Sequence, residues 1–317
     1  MRLGIEIGGT KLQLGVGEGT SPRLKEIVRL PIDRRAGARG ILTQIKKAAT
    51  HLNTRYLFDG IGIGIGFGGP VDMDSGTVIT SHQVDGWDGF ELADWCEHTL
   101  GLRAQIGNDC DVAALAESRF GAGRGARIVL YVTVGTGVGG GLVVDGALFA
   151  GHRLARAEIG HLRPGLDCTD PHATVESMAS GPGLAATARA LCETPEDIER
   201  LLADASSMPS ADELTGRDIA TAARAGNAIA REAIDRATRA LGWAIAQTVT
   251  LTAAETVVIG GGVSLMGDEL FFGPVRRAAS EYVFPPLRDA VEIVPAALGE
   301  EVVVHGALAL ACTDASS

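Results

Sequence analysis

Two glycine-rich segments of the same design constrain this chain more than any other feature. One covers residues 4–16 (GIEIGGTKLQLGV) and the other covers residues 130–144 (LYVTVGTGVGGGLVV). Each is typical of a strand, a tight Gly/Thr turn and a second strand, because glycine permits positive φ angles and close backbone approach. Backbone N–H groups and a threonine hydroxyl in such a turn can surround phosphate oxygens. Neither segment leads directly into a helix, so neither is predicted to be a Rossmann fingerprint or a Walker loop.

The two turns lie about one domain length apart, from Gly8 to Gly135. Strand-like and helix-like segments alternate after each turn, which is typical of an α/β protein. We therefore predict a duplicated α/β unit that closes on a nucleotide from two sides by a hinge motion. For either turn alone, an ordinary glycine hairpin is the alternative.

The spacing of apolar residues predicts most of the individual elements. Strands are predicted at residues 2–16 (a hairpin), 26–31, 60–66, 103–106, 256–259 and 292–296. Helices are predicted at residues 38–52, 90–100, 111–120, 182–191, 195–203, 218–250 with a break at Gly226, and 303–311. Thr194 and Pro195 have the residue types of an N-cap and a first helical position. Residues 204–214 are predicted to be a loop.

Composition excludes several classes of function. The chain has 317 residues, which is enough for two domains, and a net charge of −11, which argues against a nucleic-acid surface. Its five cysteines are widely spread without a C-x-x-C pair, so we expect no disulfide framework and a reducing, cytoplasmic setting. No signal-peptide pattern and no membrane-spanning run is recognised, so we expect no membrane partner.

Several segments together make the chain resemble the ROK family (repressor, open reading frame, kinase) of bacterial sugar kinases and regulators. They are, in order, residues 4–11, 66–72 with Gly86 and Trp87, 108–117, 135–141, 158–161, 176–181 and 258–264. The resemblance implies an α/β, actin-like (ribonuclease H-like) ATPase fold of duplicated domains with a cleft between them. We expect an N-terminal lobe of residues 1–107 plus the C-terminal helix 303–317, and a C-terminal lobe of residues 108–302.

The resemblance implies an ATP-dependent hexose kinase, glucokinase-like, in which Asp109 is the general base on a sugar hydroxyl. Asp109 follows the predicted strand 103–106, and the carboxyl ends of strands are the usual ligand side of an open α/β sheet. A carboxylate there can accept a hydroxyl proton while other groups stabilise the phosphoryl charge. From spacing alone, Asn108 or Asp109 could instead serve only as a helix cap.

The same resemblance assigns two sets of binding residues. Sugar contacts are implied for Gly68, Gly69, Gln83, Asn108, Asp109, Glu158, His161 and Glu176. Contacts with ATP and its Mg²⁺ are implied for Glu6, Gly8, Gly9, Thr10, Lys11, Gly135, Thr136, Gly137, Gly260, Gly261 and Gly262. A surface ion pair at i, i+3 is the alternative for Glu158 and His161, and a simple loop is the alternative for Gly68 and Gly69.

The chain departs from the family pattern in three places. Glu6 replaces the usual Asp and is expected to reach Mg²⁺ through water. Gln83 stands where a sugar-contacting Asn is common, which leaves glucose, mannose, fructose and N-acetyl-hexosamines open as substrates. The three zinc-binding cysteines of the family would fall at Asp167, Thr169 and Thr174.

Structural zinc requires four ligands, typically thiolates and imidazoles, so we expect no structural zinc. A rearranged metal site built from His161, Asp167, Cys168 and His172 is left open.

We expect a homodimer, which is common in the family. A catalytically weak sugar-binding or regulatory protein of the same family is the alternative function. Family regulators carry a winged helix-turn-helix ahead of the kinase-like body, whereas this chain starts at the first hairpin and is acidic. A carboxylate substrate is disfavoured, since it would require Arg or Lys near Glu158.

Overall fold

The computed structural model describes residues 1–58, 61–81, 83–149, 157–205 and 211–312. These residues fall into two compact units. Unit 1 comprises Met1–Gly125, Gly141–Arg156 and Ala297–Ser317, and unit 2 comprises Ala126–Gly140 and Ala157–Ala296. The two lobes expected from the sequence stay a prediction. The last residues of the expected N-terminal lobe, 313–317, lie outside the described residues.

Unit 1 is built on a mixed sheet in the order β3-β2-β1-β4-β8. Its strands are β1 (Arg2–Ile7), β2 (Lys11–Gly17), β3 (Leu24–Pro31), β4 (Ile61–Phe67) and β8 (Arg103–Asn108). The first three strands are antiparallel, and β1, β4 and β8 are parallel. A small second sheet contains β5 (Val71–Asp72), β6 (Thr77–Val78) and β7 (Phe90–Glu91). The predicted hairpin and strands of this unit are confirmed, although Gly60 of the predicted strand 60–66 lies outside the described residues.

Four helices complete unit 1: α1 (Gly37–Tyr56), α2 (Leu92–Leu100), α3 (Asp109–Phe120) and α10 (Val302–Leu310). The apolar spacing that predicted α1 is the spacing of its buried face, which includes Ile41, Ile45 and Leu52. Two predicted bounds were wrong. Residues 90–91 pair in β7 instead of starting α2, and α3 begins two residues earlier than expected because Asn108 is its cap.

The alternating glycines of β4 have a packing reason. A Cβ atom on Gly64 would collide with the carbonyl oxygen of Ala307, and one on Gly66 would collide with the side chain of Val303. Glycine at these two positions therefore lets α10 lie directly against the sheet. This close approach buries nearly the whole of α10, as its small apolar sequence predicted.

Unit 2 carries the second glycine turn, between β9 (Ile128–Val134) and β10 (Val138–Val144). The sheet runs in the order β11-β10-β9-β12-β13, with β11 (Ala147–Leu148), β12 (Thr256–Gly260) and β13 (Glu292–Pro295). Strand β12 pairs in parallel with both β9 and β13. By the bounds of the two units, β10 begins in unit 2 and ends in unit 1, and β11 belongs to unit 1.

The helices of unit 2 are α4 (Val175–Ala179), α5 (Gly181–Leu191), α6 (Pro195–Ala203), α7 (Gly216–Arg224), α8 (Ala228–Thr252) and α9 (Gly273–Tyr282). The predicted cap of α6 by Thr194, with Pro195 in the first turn, is confirmed. The predicted break at Gly226 is confirmed as well, because Gly226 has a φ of 95° and Asn227 caps α8. Of the predicted loop 204–214, residues 206–210 lie outside the described residues and Ala211–Glu213 form a 3-10 turn.

Candidate functional site

The strand-to-helix junction of unit 1 holds Asn108 and Asp109. The side-chain oxygen of Asn108 accepts a hydrogen bond from the backbone N–H of Cys110 at 2.9 Å, and its amide nitrogen donates to the carbonyl oxygen of Gly69 at 3.0 Å. Asn108 is therefore the N-cap of α3 and also ties the Gly68-Gly69 loop to the helix. The capping role that the sequence left open between the two residues falls to Asn108.

Asp109 is the first helical residue, at the carboxyl end of β8. One carboxylate oxygen, Oδ1, accepts from the Cys110 N–H at 2.9 Å. A Cβ atom placed on Gly68 would lie 3.5 Å from the other oxygen, Oδ2. The absence of a side chain at Gly68 thus leaves room beside this carboxylate. A position in the first turn of α3 also favours its charged form.

The first glycine turn is closed by a hydrogen bond from the Gly8 N–H to the carbonyl oxygen of Lys11, at 3.1 Å. Thr10 is exposed at its tip. The ammonium group of Lys11 lies 3.3 Å from Oε1 of Glu6, and the Gln13 amide donates to Oε2 of Glu6 at 2.8 Å. Burial raises the pKa of Glu6, the charge and hydrogen bonds of Lys11 and Gln13 oppose this, and the charge of Asp109 adds to the rise. Glu6 and Asp109 are therefore close enough to repel each other.

Two side chains lie against Gly9 of this turn. The side-chain oxygen of Gln83 contacts Gly9 at the place where a Cβ atom would stand. The Nε atom of Arg34 donates to the carbonyl oxygen of Gly9 at 2.8 Å, and Arg34 is an exposed residue. Gln83 was a predicted site residue, whereas Arg34 was missed. No sequence motif includes Arg34. The one signal for it is its position just after β3, because β3 pairs with β2, the strand that follows the first glycine turn.

The predicted sugar-contacting residues of unit 2 form one polar cluster. Glu158 immediately precedes the short 3-10 helix Ile159–His161, and its Oε2 atom lies 3.9 Å from Nε2 of His161. Burial raises the pKa of Glu158, His161 lowers it and Glu176 raises it, which places all three side chains within electrostatic range. Glu158 and His161 are a surface pair at i, i+3, the arrangement given above as the alternative to a sugar site, and the charge of Glu176 acts on the Glu158 carboxylate as well.

Glu176 links that cluster to the second glycine turn. Its Oε2 atom accepts from the Val138 N–H at 2.8 Å, and a Cβ atom on Gly137 would lie only 2.6 Å from the same oxygen. Glycine at 137 is therefore required for this contact. The turn is closed by a 2.8 Å hydrogen bond from the Gly135 N–H to the Gly137 carbonyl oxygen, and Thr136 is exposed at its tip.

The third glycine turn follows β12 in unit 2. Gly261 has a φ of 89°, and a Cβ atom there would collide with the carbonyl oxygen of Val134, so only glycine fits. A Cβ atom on Gly260 would lie 2.7 Å from the hydroxyl of Tyr131, whereas Gly262 has open space around it. The turn leads into the 3-10 helix Gly262–Met266, which leaves backbone N–H groups at its start.

The residues present do not fit the structural zinc of the family. Within the described ranges, no group of three or more His, Cys, Asp and Glu side chains is placed to hold a metal ion. The thiol of Cys168 donates to the carbonyl oxygen of Ala173 at 3.2 Å, and Thr174, at a former cysteine position, caps α4. His161, Asp167, Cys168 and His172 are all described, and they do not form the rearranged metal site that the sequence left open.

The residues near the first turn do fit a magnesium ion that arrives with a nucleotide. Mg²⁺ prefers oxygen ligands and keeps several of its waters. Glu6 is only 7% exposed, and Lys11 and Gln13 already bind its two oxygens, so it suits a contact through water. The nearby carboxylate of Asp109 has the chemistry of a second oxygen donor.

The structure thus gathers the predicted residues into one set within each unit. The unit 1 set comprises Glu6, Gly8, Gly9, Thr10, Lys11, Gly68, Gly69, Gln83, Asn108 and Asp109. The unit 2 set comprises Gly135, Thr136, Gly137, Glu158, His161, Glu176, Gly260, Gly261 and Gly262. Within the described residues, no helix has the length and apolar content needed to cross a membrane.

Comparison with known proteins agrees with this architecture. The glucokinase of Halalkalibacterium halodurans is 33% identical, over 96% of this chain and 92% of its own length. A solved ROK family glucokinase from Streptomyces griseus, in complex with glucose and AMPPNP, is 31% identical with a TM-score of 0.78, covering 97% of each chain. The ROK hexokinase from Thermus thermophilus has a TM-score of 0.81 at 28% identity, covering 98% of this chain and 97% of its own.

These likenesses confirm the predicted α/β fold of the actin-like ATPases. A model of the ROK family matches residues 2–314, which is nearly the whole chain. With that match and a relative of 33% identity along its length, the chain belongs to the ROK family.

Proposed function

We propose that this chain transfers the γ-phosphoryl group of ATP to a hydroxyl group of a hexose, with Asp109 as the general base. The family match and the glucokinase relatives support an ATP-dependent sugar kinase. The choice of a hexose, the role of Asp109 and the other site residues are the parts that experiments must test.

The observation that carries the proposal is the position of Asp109. Its carboxylate lies at the carboxyl end of β8, beside the space that Gly68 leaves open, while Asn108 caps the helix in its place. In the reaction, a sugar hydroxyl attacks the γ-phosphorus, its proton passes to Asp109, and the bond from the γ-phosphorus to the β-phosphate oxygen breaks to release ADP. Because the charged form of Asp109 is favoured at the helix start, positioning of the hydroxyl contributes along with proton transfer.

The sugar would be held by a set of side chains that together donate and accept hydrogen bonds. Asn108 and His161 supply both donors and acceptors, and Glu158 and Glu176 supply carboxylate acceptors. A polyol requires such a mixed set, since each buried hydroxyl left unpaired costs about 1–3 kcal/mol. Glu176 already accepts from the second glycine turn, so sugar and phosphate recognition would share one carboxylate in unit 2.

The phosphates would be held by the glycine turns and by nearby cations. Lys11 is engaged by Glu6 and by the carbonyl oxygen of Glu300, at 3.3 Å from each. Arg34 uses Nε to hold the Gly9 carbonyl, and no carboxylate lies within ion-pair distance of it among the described residues. We therefore include Arg34 with Lys11 among the phosphate-binding residues. Mg²⁺ supplies positive charge to the phosphates when bound, and Glu6 and Asp109 are the residues that would hold it.

The test is a coupled ADP-release assay with Mg-ATP and a panel of glucose, mannose, fructose and N-acetyl-hexosamines. Asp109→Asn should lower the sugar-dependent rate by about 10²–10⁴-fold while sugar binding, measured by calorimetry, persists. Asp94→Asn is the matched control, because Asp94 is an exposed acid in the first turn of α2 in the same unit. We expect the control to keep the wild-type rate.

A sugar-binding or regulatory protein of the same family is the competing function. Sugar binding without turnover by the wild-type chain would support it and would contradict the kinase proposal. Light scattering would separately test the expected homodimer, and a cytoplasmic setting also stays a prediction.

A further inference from the structure

Glu117, in the last turns of α3, is a fully buried carboxylate that the proposed chemistry does not use. It is 0% exposed. Its Oε2 atom accepts from the Ala122 N–H at 2.8 Å, and its Oε1 atom accepts from the N–H groups of Ala297 and Leu298, both at 2.9 Å. Within the described ranges, no Lys, Arg or His lies within 4.0 Å of it. A buried charge without a counter-ion is costly, so these three N–H groups must hold it in place.

The three N–H donors lie where the chain passes between the two units. The chain first leaves unit 1 after Gly125 and enters it for the last time at Ala297. Ala122 lies just before the first of these passages, and Ala297 and Leu298 are the first residues after the last one. One carboxylate group therefore fastens two passages, far apart in sequence, to the same helix.

A third passage packs on the same helix. The chain re-enters unit 1 at Gly141, and a Cβ atom there would lie 2.7 Å from the carbonyl oxygen of Cys110 and 2.8 Å from the Cβ atom of Ala114. Helix α3 thus has Asp109 at its start. The chain at Gly141 packs along its first half, and Glu117 near its end binds the N–H groups of residues 122, 297 and 298. Any change in the path of the chain at these points acts on the helix that positions Asp109.

We propose that Glu117 is a positioning residue that couples the path of the chain between the units to the placement of Asp109. The inference rests on the proposed kinase function and on the hinge motion that the duplicated α/β units predict. With the passages held on α3, Asp109 is held where it can accept the proton of the sugar hydroxyl. When they are loosened, sugar still binds but phosphoryl transfer becomes slower and less tightly coupled to the sugar.

The chemistry of glutamate suits this position. A carboxylate has two acceptor oxygens, whereas glutamine has one oxygen and an NH2 group that cannot accept a hydrogen bond. Glu117→Gln keeps the shape but turns an NH2 group towards the N–H of Ala122 or towards those of Ala297 and Leu298. Asp218→Asn is the matched control, because Asp218 is also a buried carboxylate that accepts from a backbone N–H, that of Thr215 in unit 2, away from the passages.

The experiment compares wild type, Glu117→Gln and Asp218→Asn in steady-state kinetics and in hydrogen exchange. We expect Glu117→Gln to lower kcat by about ten- to hundredfold, with the sugar KM changed much less. The ratio of sugar-independent ATP hydrolysis to sugar phosphorylation should rise. Amide exchange should accelerate at residue 122 or at residues 297–298, and sugar should no longer protect the amides at the start of α3. Asp218→Asn should keep the wild-type kcat and ratio.

A second variant covers the case in which Glu117→Gln fails to fold. Gly141→Ala pushes on the first half of α3 without touching a buried charge, and it should produce the same loss of kcat and coupling. Wild-type kcat and coupling in whichever variant folds, despite faster exchange at the passages, would overturn the inference. Wild-type protein that neither phosphorylates nor binds any sugar would instead overturn the proposed function, and this inference with it.

Discussion

The side-chain oxygen of Gln83 occupies the position that a Cβ atom on Gly9 would take. Gly9 has no positive φ angle, so its backbone would accept alanine, and among the described residues the atoms nearest to the added Cβ belong to the side chain of Gln83. We predict that Gly9→Ala displaces Gln83 and weakens sugar binding by about 1–2 kcal/mol, or roughly five- to thirtyfold in Kd. Calorimetry with the preferred sugar measures this loss.

A double-mutant cycle separates this effect from a general change in the turn. Gln83→Ala should cost about as much as Gly9→Ala, and the double variant should cost no more than either one, because both remove the same contact. Gly135→Ala is the control, since Gly135 lies in the second glycine turn, has no positive φ angle and has open space around it. Additive losses in the double variant would show that Gly9 acts on the turn itself and not through Gln83.

The contact between Glu176 and Gly137 gives a second prediction. Alanine at 137 would force the Glu176 carboxylate away from the Val138 N–H and leave that buried donor unpaired. We expect Gly137→Ala to lower the free energy of unfolding by about 1–3 kcal/mol and to raise the sugar KM, because Glu176 is a proposed sugar contact. Thermal unfolding and the coupled assay measure the two effects. Gly262→Ala, at an open position, should change the stability little.

Partial burial raises the pKa of Glu158, and this gives a prediction about sugar binding. A sugar hydroxyl donates to the ionised carboxylate, so affinity should fall as the pH drops through a midpoint above the ordinary glutamate pKa. Glu158→Gln should remove this pH dependence. His161→Gln should move the midpoint upwards, because His161 lowers the pKa of Glu158. A midpoint that His161→Gln leaves unchanged would contradict the assigned electrostatic contact.

The raised pKa of Glu158 also makes the stability of the folded chain depend on pH. The folded chain holds the Glu158 proton more tightly than the unfolded chain, so this contribution is present at low pH and is lost as the pH rises through the raised pKa. Relative to Glu158→Gln, the wild type should therefore lose stability as the pH rises through that window. Denaturant unfolding of the two proteins at several pH values in the absence of sugar measures the difference.

The contribution of His305 in α10 to stability should change with pH in the opposite direction to that of Glu158. It is 8% exposed, and its Nδ1 atom has no hydrogen-bond partner within the described part of the chain. Burial lowers its pKa, although Glu301 opposes the shift. Its contribution to stability is thus present above the ordinary histidine pKa and is lost as the pH falls through the lowered value.

We therefore expect His305→Leu to be more stable than the wild type by about 1–3 kcal/mol, with a larger gain at acidic pH than at neutral pH. Denaturant unfolding at pH values on either side of about 6.5 measures the gain. The exposed His51→Gln variant is the control and should show no such pH-dependent gain. Equal gains for His305→Leu at both pH values would show that protonation of His305 has no part in them.

Much of the local structure was predictable because it depends on residues that are close in sequence. The apolar spacing of α1, the cap formed by Thr194 and Pro195, and the break at Gly226 all act within a few residues of the backbone they control. The bounds of α2 and α3 were less predictable. Residues 90–91 pair with a distant strand, and the cap of α3 was open between two residues of suitable type.

The sequence by itself determined the two glycine hairpins, most of the helices and the membership of the ROK family, because these depend on local spacing and on ordered motifs. Only the tertiary structure decided that Asn108 rather than Asp109 caps α3, that Arg34 and Gln83 lie against Gly9, and that Glu117 binds the N–H groups of residues 122, 297 and 298. Most of these contacts join residues that are tens to hundreds of positions apart. They form only when packing brings those residues together, and no local pattern encodes which distant backbone group a buried side chain will meet.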